Sequence, residues 1–197
     1  MMKNLKYILL AVTLFPLMGI VSSCSKETEE ESEFDNWQEK NEAAISQWAS
    51  NSSYKKILTF TKDATISGAK NTDFIYVEVL ESGDGTESPL YTDTCRVAYR
   101  GHFIPTASYP EGYVFDQSYT GDFSWSTAGT SSGQSWIDGF STALQNMHVG
   151  DRWRVRIPYT LGYGESGSSS ITGYTNLVFE IALYDFWHPG ESRPAFK

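Results

Sequence analysis

Residues 144–167 read LQNMHVGDRWRVRIPYTLGYGESG, and this stretch decides the fold that we expect. At its centre, residues 152–157 alternate between arginine and apolar side chains, which is typical of a strand with one buried and one exposed face. A Gly-Asp pair marks a turn before this strand, and Pro158 ends it. Tyr163 follows between two glycines. The stretch therefore predicts a half-buried strand that leads into a loop carrying an accessible phenol.

The chain from residue 55 onward has the alternation and the turn residues of further strands. The predicted strands are residues 57–60, 74–80, 95–103, 114–115, 123–126, 152–157 and 177–183. Residues 139–147 repeat apolar side chains at spacings of three and four, which predicts one short helix. The arginines of residues 152–157 are expected to pair with Glu78 and Glu180 across the sheet. Because an apolar sheet face must be covered, we expect an antiparallel sheet curved over this helix.

Residues 1–23 have the features of an export signal. Two lysines precede an apolar run at residues 7–21, and small residues lead to Cys24. The run is 15 residues long, which is shorter than the roughly 20 residues that cross a bilayer as a helix. The segment resembles a bacterial lipoprotein signal, and this resemblance implies lipidation of Cys24 and attachment to a membrane. An ordinary cleaved signal followed by an incidental cysteine is the alternative.

Residues 24–33 are expected to form an acidic tether, because their like charges oppose folding. This segment is similar to those of surface-exposed lipoproteins in Bacteroides-like bacteria, which implies a cell-envelope protein that is anchored in the outer membrane and faces outward. A solvated spacer that does not direct the protein to the cell surface is the alternative.

Residues 34–73 are interpreted as an N-terminal helix and extension, with a capping box at residues 32–35 that starts the helix. The helix carries an apolar stripe of Phe34, Trp37, Ala44, Ile45 and Trp48. We expect this stripe to dock on its own domain. A groove for a partner is the alternative.

Composition limits the classes of function. The 197 residues are 40% hydrophobic, which is enough for one core and a short appendage. A formal net charge of -9 argues against binding to nucleic acid. The three histidines lack the spacing of a metal site, and Cys95 has no partner if Cys24 is lipidated. We therefore expect no metal, no other cofactor and no disulfide.

Six separated motifs carry a similarity to one protein family. They are CRVAYRG at residues 95–101, VFDQS at 114–118, QSWIDGF at 134–140, LQNMHVG at 144–150, IPYTLGYG at 157–164 and NLVF at 176–179. In this order and spacing they resemble the FKBP-type peptidyl-prolyl cis-trans isomerases. The resemblance implies an α+β fold over residues 74–187, an FKBP-like antiparallel half-barrel sheet wrapped around one short helix. Residues 188–197 would then be a C-terminal tail.

The resemblance also implies an aromatic pocket between the sheet and the helix. The implied catalytic residues are Tyr99, Asp116, Ile137 and Tyr163, and the implied substrate-binding residues are Phe115, Phe123, Trp136, Phe140, Ile171 and Phe179. Tyr99 would donate a hydrogen bond to Asp116. The Ile137 N–H and the Tyr163 hydroxyl would hold the substrate carbonyl. Phe140 would be the floor of the pocket, at a position where the family usually has tryptophan.

The activity implied by the resemblance is cis-trans isomerisation of X-Pro bonds, which assists the folding of exported proteins. The partners would be proline-containing polypeptides, and macrolide inhibitors would be further ligands. Two departures concern specificity: an insertion at residues 104–112, and a polar loop at residues 168–173 that we expect to be mobile. A non-catalytic FKBP-fold peptide-binding or chaperone module at the cell envelope is the main alternative. A glycan-binding surface protein, suggested by the aromatic content alone, is another.

Overall fold

The fold is a sheet with two helices, seen in a computed structural model. The model describes residues 32–65, 68–118, 129–132 and 136–192, and for 129–132 the backbone alone. The signal, the lipidation residue Cys24, the pocket residue Phe123 and the predicted strand at residues 123–126 lie outside these ranges.

Seven antiparallel strands form one sheet within the described ranges. They are β1 (Lys55–Leu58), β2 (Phe74–Glu81), β3 (Thr94–Phe103), β4 (Val114–Gln117), β5 (Gly129–Ser132), β6 (Arg152–Ile157) and β7 (Leu177–Trp187), and the helices are α1 (Trp37–Ser50) and α2 (Asp138–Leu144). The strand order is β1-β2-β6-β7-β3-β4, and β5 pairs with the first part of β3. The predicted α+β class with an antiparallel sheet is confirmed. Strand β6 has its predicted bounds, while β7 continues past the predicted end at residue 183.

The alternation of β6 divides the sheet into two chemically different faces. Trp153, Val155 and Ile157 are buried, and the arginines between them lie on the other face. There Glu78 of β2 pairs with Arg154 at 3.4 Å and with Arg156 at 3.1 Å. Glu180 of β7 pairs with Arg154 at 3.7 Å and with Arg152 at 3.2 Å. The predicted ion pairs are confirmed, and they cover the face that lies opposite the core.

Helix α2 packs on the apolar face of the sheet. Phe140, Ala143 and Leu144 are at most 1% exposed. The helix is shorter than the predicted 139–147, because tight turns follow Leu144 and bring Met147 into the core from outside the helix. Its approach to β6 depends on Gly139, where a Cβ atom would lie 2.3 Å from Cγ2 of Ile157. Helix and sheet therefore pack more closely than any side chain at this position would permit.

Helix α1 docks on its own domain, as predicted, and buries Trp37, Ile45 and Trp48. Asn41, which the apolar stripe does not include, is also fully buried. Its Oδ1 accepts a hydrogen bond from the backbone N–H of Asn176 at 2.8 Å, and Nδ2 of Asn176 donates to the Asn41 carbonyl at 2.7 Å. Because buried polar groups need partners, this pair fixes α1 to the residue before β7.

The predicted capping box at residues 32–35 is wrong. The helix begins at Trp37, after Asn36 in the left-handed region with a φ of 53°. Ser32 N–H donates to the Asp35 carboxylate at 2.8 Å, and Asp35 N–H donates to the Ser32 carbonyl at 2.9 Å. The motif thus closes a turn that ends before the helix. Phe34 therefore lies outside the helical stripe and packs edge-on against Trp37, with the centroids 5.1 Å apart.

Neither α1 nor α2, the helices of the described ranges, has the length and apolar character needed to cross a membrane. Cys95 is a buried residue of β3, and burial raises the pKa of its thiol to about 12.

Candidate active site

Five aromatic rings from four parts of the chain converge between α2 and the sheet. Phe140 of α2 lies edge-on to Phe179 of β7 at 5.1 Å and to Tyr99 of β3 at 5.8 Å. Phe115 of β4 meets Phe179 at 5.5 Å. Trp136, just before α2, stacks on Phe140 at 4.2 Å with an interplanar angle of 15°. The structure thus brings these predicted pocket residues together, although their role in binding substrate stays a prediction.

Gly101 keeps the rings of this cluster in place, and sequence reasoning gave it no role. It lies on β3 opposite Phe179 in the strand register. A Cβ atom at Gly101 would come within 2.6 Å of Cε1 of Phe179 and 2.7 Å of Cζ of Phe115. Any side chain at this position would displace both rings. The signal in the sequence was a glycine inside a strand, which often marks a close approach of other atoms.

The cluster has a buried floor and a more accessible rim. Phe140 and Phe179 are 0% and 4% exposed and belong to the main hydrophobic core. Phe115 and Trp136 are half-buried. Ile171, predicted to bind substrate, is 4% exposed and packs in the same core. The floor therefore contributes to stability as well as to the pocket.

The rim contains the predicted hydrogen bond between two strands. The Tyr99 hydroxyl donates to Oδ2 of Asp116 at 2.7 Å, and pairing of β3 with β4 places Gly101 opposite Asp116. Burial is the largest cause and this hydrogen bond the second largest cause that raise the pKa of Tyr99 above its ordinary value. The phenol is therefore a neutral donor at physiological pH. The bond holds the Tyr99 ring against Trp136 and Phe140.

Tyr163 stands at the rim on a tight turn. The chain reaches it from a 3₁₀ turn, Tyr159–Leu161, and Gly164 then takes a φ of +69° that favours glycine. The Gly164 N–H donates to the Tyr159 carbonyl at 2.8 Å. Tyr163 is 39% exposed, and burial together with the nearby charge of Asp116 raises its pKa. A neutral hydroxyl with access to solvent is thus available as a hydrogen-bond donor.

Two N–H groups near the start of α2 have no acceptor among the described residues. The Ile137 carbonyl accepts hydrogen bonds from Phe140 and Ser141, each at 3.0 Å, whereas its own N–H has no partner in this part of the chain. The same is true of the buried Nε1 of Trp136. Because buried donors are normally paired, the Trp136 Nε1 is suited to a ligand carbonyl, and the Ile137 N–H is a second donor next to it in the chain.

Backbone hydrogen bonds cross the loop after Tyr163. Gly167 N–H donates to the Tyr163 carbonyl at 3.1 Å, and Ser168 N–H donates to the Ile171 carbonyl at 2.8 Å. Tyr174 N–H donates to the Gly164 carbonyl at 3.0 Å. These bonds and the buried side chain of Ile171 close the loop into a turn, and the mobility of this segment stays a prediction.

A groove of about 1100 Å³ lies on the opposite face of the sheet, between α1 and residues 104–112. Its floor includes Arg154, Arg156 and Glu180, which take part in the ion pairs of that face. Although it is spacious, it lacks the convergent rings of the aromatic pocket. No group of three metal-ligating side chains occurs in the part of the chain that the structure describes.

An antiparallel sheet covered by one helix, with a cluster of aromatic rings between them and the Tyr99 and Tyr163 phenols at its rim, is the class of domain that the six motifs predict. A family model described as FKBP-type peptidyl-prolyl cis-trans isomerase matches residues 85–184, about half of the sequence. The chain therefore belongs to the FKBP-type family, as the six motifs indicate.

Relatives and solved structures agree with this family. The macrophage infectivity potentiator of Trypanosoma cruzi is 35% identical over 117 residues, which are 59% of this chain and 55% of that protein. The FKBP-type 22 kDa peptidyl-prolyl cis-trans isomerase of Escherichia coli K12 is 32% identical over 130 residues, covering 63% of this chain and 56% of that protein. The chain thus spans about half the length of these two relatives.

Two crystal structures are similar in fold. A peptidyl-prolyl cis-trans isomerase from Pseudomonas syringae pv. tomato has a TM-score of 0.58 and 25% identity, covering 79% of this chain and 97% of that chain. FkpA from Escherichia coli has a TM-score of 0.58 and 26% identity, covering 77% of this chain and 60% of that chain.

Proposed function

We propose that this protein is a peptidyl-prolyl cis-trans isomerase acting on X-Pro bonds of polypeptide substrates. The observation that carries the proposal is the cluster of aromatic rings built on Phe140 and Phe179, with the hydrogen-bonded pair Tyr99 and Asp116 at its rim. Membership of the FKBP-type family supports it. The rings would give an apolar surface to the pyrrolidine ring, and the Tyr163 hydroxyl and the Ile137 N–H would face the adjoining carbonyl.

The reaction needs neither a nucleophile nor a cofactor. Rotation about an X-Pro bond is opposed by amide resonance, with a barrier of about 18–20 kcal/mol. The planar amide is more polar than the twisted transition state, so the apolar floor disfavours the planar form more. Each preference of about 1.4 kcal/mol for the twisted form accelerates rotation about tenfold.

Two donors would hold the substrate carbonyl during the rotation. The Ile137 N–H has no acceptor within the described chain, and the raised pKa keeps the Tyr163 hydroxyl protonated. Donors fixed in advance stabilise a transition state without reorganisation during the reaction. Asp116 acts indirectly, because it holds the ring of Tyr99 that forms part of the wall.

A proline-limited refolding assay with the purified full chain tests this function. Uncatalysed isomerisation takes tens of seconds or longer, so catalysis is seen as acceleration of the slow refolding phase. We expect acceleration that Tyr163→Phe weakens and that a macrolide inhibitor of the family suppresses. Lack of acceleration by a folded wild-type chain would refute the proposal.

A non-catalytic peptide-binding or chaperone module is the second candidate. The observation that favours it is the stacking of Trp136 on Phe140 at 4.2 Å, which places a large ring directly against the predicted floor. If that ring occupies the place of the proline over Phe140, peptides would bind at the rim without isomerisation. Trp136→Val separates the two candidates, because removing a blocking ring would increase the activity, whereas removing a ring that lines a working pocket would decrease it.

We further propose that the protein is lipid-anchored at Cys24, in the outer membrane of the cell envelope, and assists the folding of exported proteins. The support lies in the sequence: a signal at residues 1–23, a cysteine and an acidic segment at residues 24–33. Labelling of cells with a radioactive fatty acid tests it. We expect label in the wild-type chain and none in Cys24→Ser, and an unlabelled membrane-free wild type would contradict the anchor.

A further inference from the structure

Two segments outside the six family motifs meet each other next to the end of β3. They are the turn before α1 and the insertion at residues 104–112. One carboxylate oxygen of Glu33 accepts hydrogen bonds from the Thr106 hydroxyl at 3.0 Å and from the Ser108 backbone N–H at 2.9 Å. Charge-assisted hydrogen bonds of this kind are stronger than neutral ones. They hold the insertion against the start of the N-terminal helix.

The insertion continues the ring system of the pocket outward. Phe115, which meets Phe179 in the pocket, stacks on Phe103 at 5.2 Å. Phe103 meets Tyr113 at 5.8 Å, and Tyr113 meets Tyr109 edge-on at 5.2 Å. A continuous series of ring contacts thus leads from the pocket to two tyrosines at the surface.

Three large rings in this region are unusually accessible. Phe34, Tyr109 and Tyr113 are 47%, 43% and 47% exposed. Phe34 joins the group through Trp37, which meets Phe103 at 6.4 Å. We call these three exposed rings the aromatic shelf. Exposed aromatic groups next to a binding site commonly contribute to recognition, because contact with a ligand removes their apolar area from water.

We propose that the aromatic shelf binds a large apolar side chain located about three residues from the proline in the substrate polypeptide. The inference rests on the proposed isomerase function and specifies its substrate class. Two successive ring contacts separate Phe115 from Tyr113: Phe115 to Phe103 at 5.2 Å, and Phe103 to Tyr113 at 5.8 Å. An extended chain advances roughly 3.3–3.6 Å per residue, so about three residues span these two contacts. The favoured substrates are unfolded segments in which an aromatic or large aliphatic residue flanks an X-Pro bond.

The size of the shelf favours a peptide side chain over a second copy of this protein. Three partly exposed rings offer a few hundred Å² at most, since a whole aromatic side chain buries about 150–250 Å². Stable protein interfaces bury about 1,200–2,000 Å² in total. Ring contacts through Phe103 and Phe115 also connect the shelf to the pocket, so we expect a peptide whose proline enters the pocket to extend toward the shelf.

Paired peptides test the inference with the full chain. The reference is a four-residue X-Pro peptide. Two pairs of ten-residue peptides carry Phe or Ser at one position, three residues before the proline in one pair and three residues after it in the other. In one of the two pairs, we expect kcat/KM of the Phe peptide to exceed that of the Ser peptide by about five- to tenfold. Tyr109→Ser/Tyr113→Ser and, separately, Phe34→Ser should reduce this preference to below twofold, with the rate on the four-residue peptide unchanged.

Tyr91→Ser is the matched control, because Tyr91 is 38% exposed and contacts Phe60, which follows β1 at the other edge of the sheet. The Tyr91→Ser variant should retain the preference for the Phe peptide over the Ser peptide. Equal kcat/KM for Phe and Ser peptides, or a preference that survives in both shelf variants, would overturn the inference while leaving the isomerase function intact.

Failure to isomerise even the four-residue peptide would instead refute the proposed function. In that case, calorimetric titration with the same peptides tests binding to the aromatic shelf independently of catalysis. Equal affinity for the Phe and Ser peptides would overturn the inference. Sedimentation that shows a dimer dissociated by the shelf variants would also overturn it, because the shelf would then join two copies.

Discussion

The floor and the rim of the aromatic pocket are built on different physical principles. Phe140 and Phe179 on the floor are 0% and 4% exposed and belong to the main core, whereas Tyr163 on the rim is 39% exposed. The floor needs close packing from α2 and β7, while the rim needs only a hydrogen bond and a tight turn. A change on the floor should therefore affect stability and activity together, and a change on the rim should affect activity alone.

The largest effect is expected from Phe140→Ala on the floor. Truncation removes edge contacts with Tyr99 and Phe179 and the stacking with Trp136, and it leaves a cavity in a packed core. We expect the free energy of unfolding to fall by about 3–5 kcal/mol. Urea denaturation measures this change, and a loss below about 1 kcal/mol would mean that the ring is not part of the core. Phe140→Trp, the residue usual in the family, shows whether a larger ring fits at the same position.

On the rim, Tyr163→Phe should separate activity from stability. The substitution removes a hydroxyl that is accessible to solvent and leaves the ring in place. We expect kcat/KM for X-Pro peptides to fall about tenfold, since one hydrogen bond to a reacting carbonyl contributes about 1–1.5 kcal/mol. The free energy of unfolding should change by less than about 0.5 kcal/mol. Equal activity of both forms would exclude the hydroxyl as a donor to substrate.

This division between floor and rim also shows what the sequence can reveal. The alternation in β6 predicts both faces of the sheet, because side chains of a strand point to opposite sides with a period of two. The ion pairs of Arg154 and Arg156 with Glu78 follow from the same pattern. The bond between Tyr99 and Asp116, by contrast, was implied by the resemblance to the family and not by the strand pattern.

Features that depend on distant partners could not be predicted. Asn41 is polar, and its burial makes sense only through Asn176, far along the chain. The role of Gly101 depends on rings brought there by β4 and β7. The capping motif at residues 32–35 failed for a local reason, because the same side chains can close a turn as well as start a helix.

A smaller effect is expected when the partner of Tyr99 is weakened. Asp116→Asn keeps the shape of the side chain but replaces a charged acceptor by a neutral one, which weakens the 2.7 Å hydrogen bond. We expect kcat/KM to fall about three- to fivefold, because the Tyr99 wall is held less firmly. Tyr99→Phe is the matched control. If Asp116 acts only through this bond, the double variant should be no slower than Tyr99→Phe alone, and a further loss would indicate a direct role of the carboxylate.

The smallest effect is expected from pH. Burial and the charge of Asp116 raise the pKa of Tyr163, so the phenol keeps its proton at a pH where a free tyrosine, with a pKa of about 10, would begin to ionise. We expect kcat/KM of the wild type to stay within about twofold from pH 7 to 10, and to decline above that as the donor is lost. The sign follows from the direction of the shift: a raised pKa preserves the donor below pH 10 and removes it as the pH passes the raised value. Tyr163→Phe should lack this alkaline decline, and a wild-type decline already near pH 8 would show that another group controls the rate.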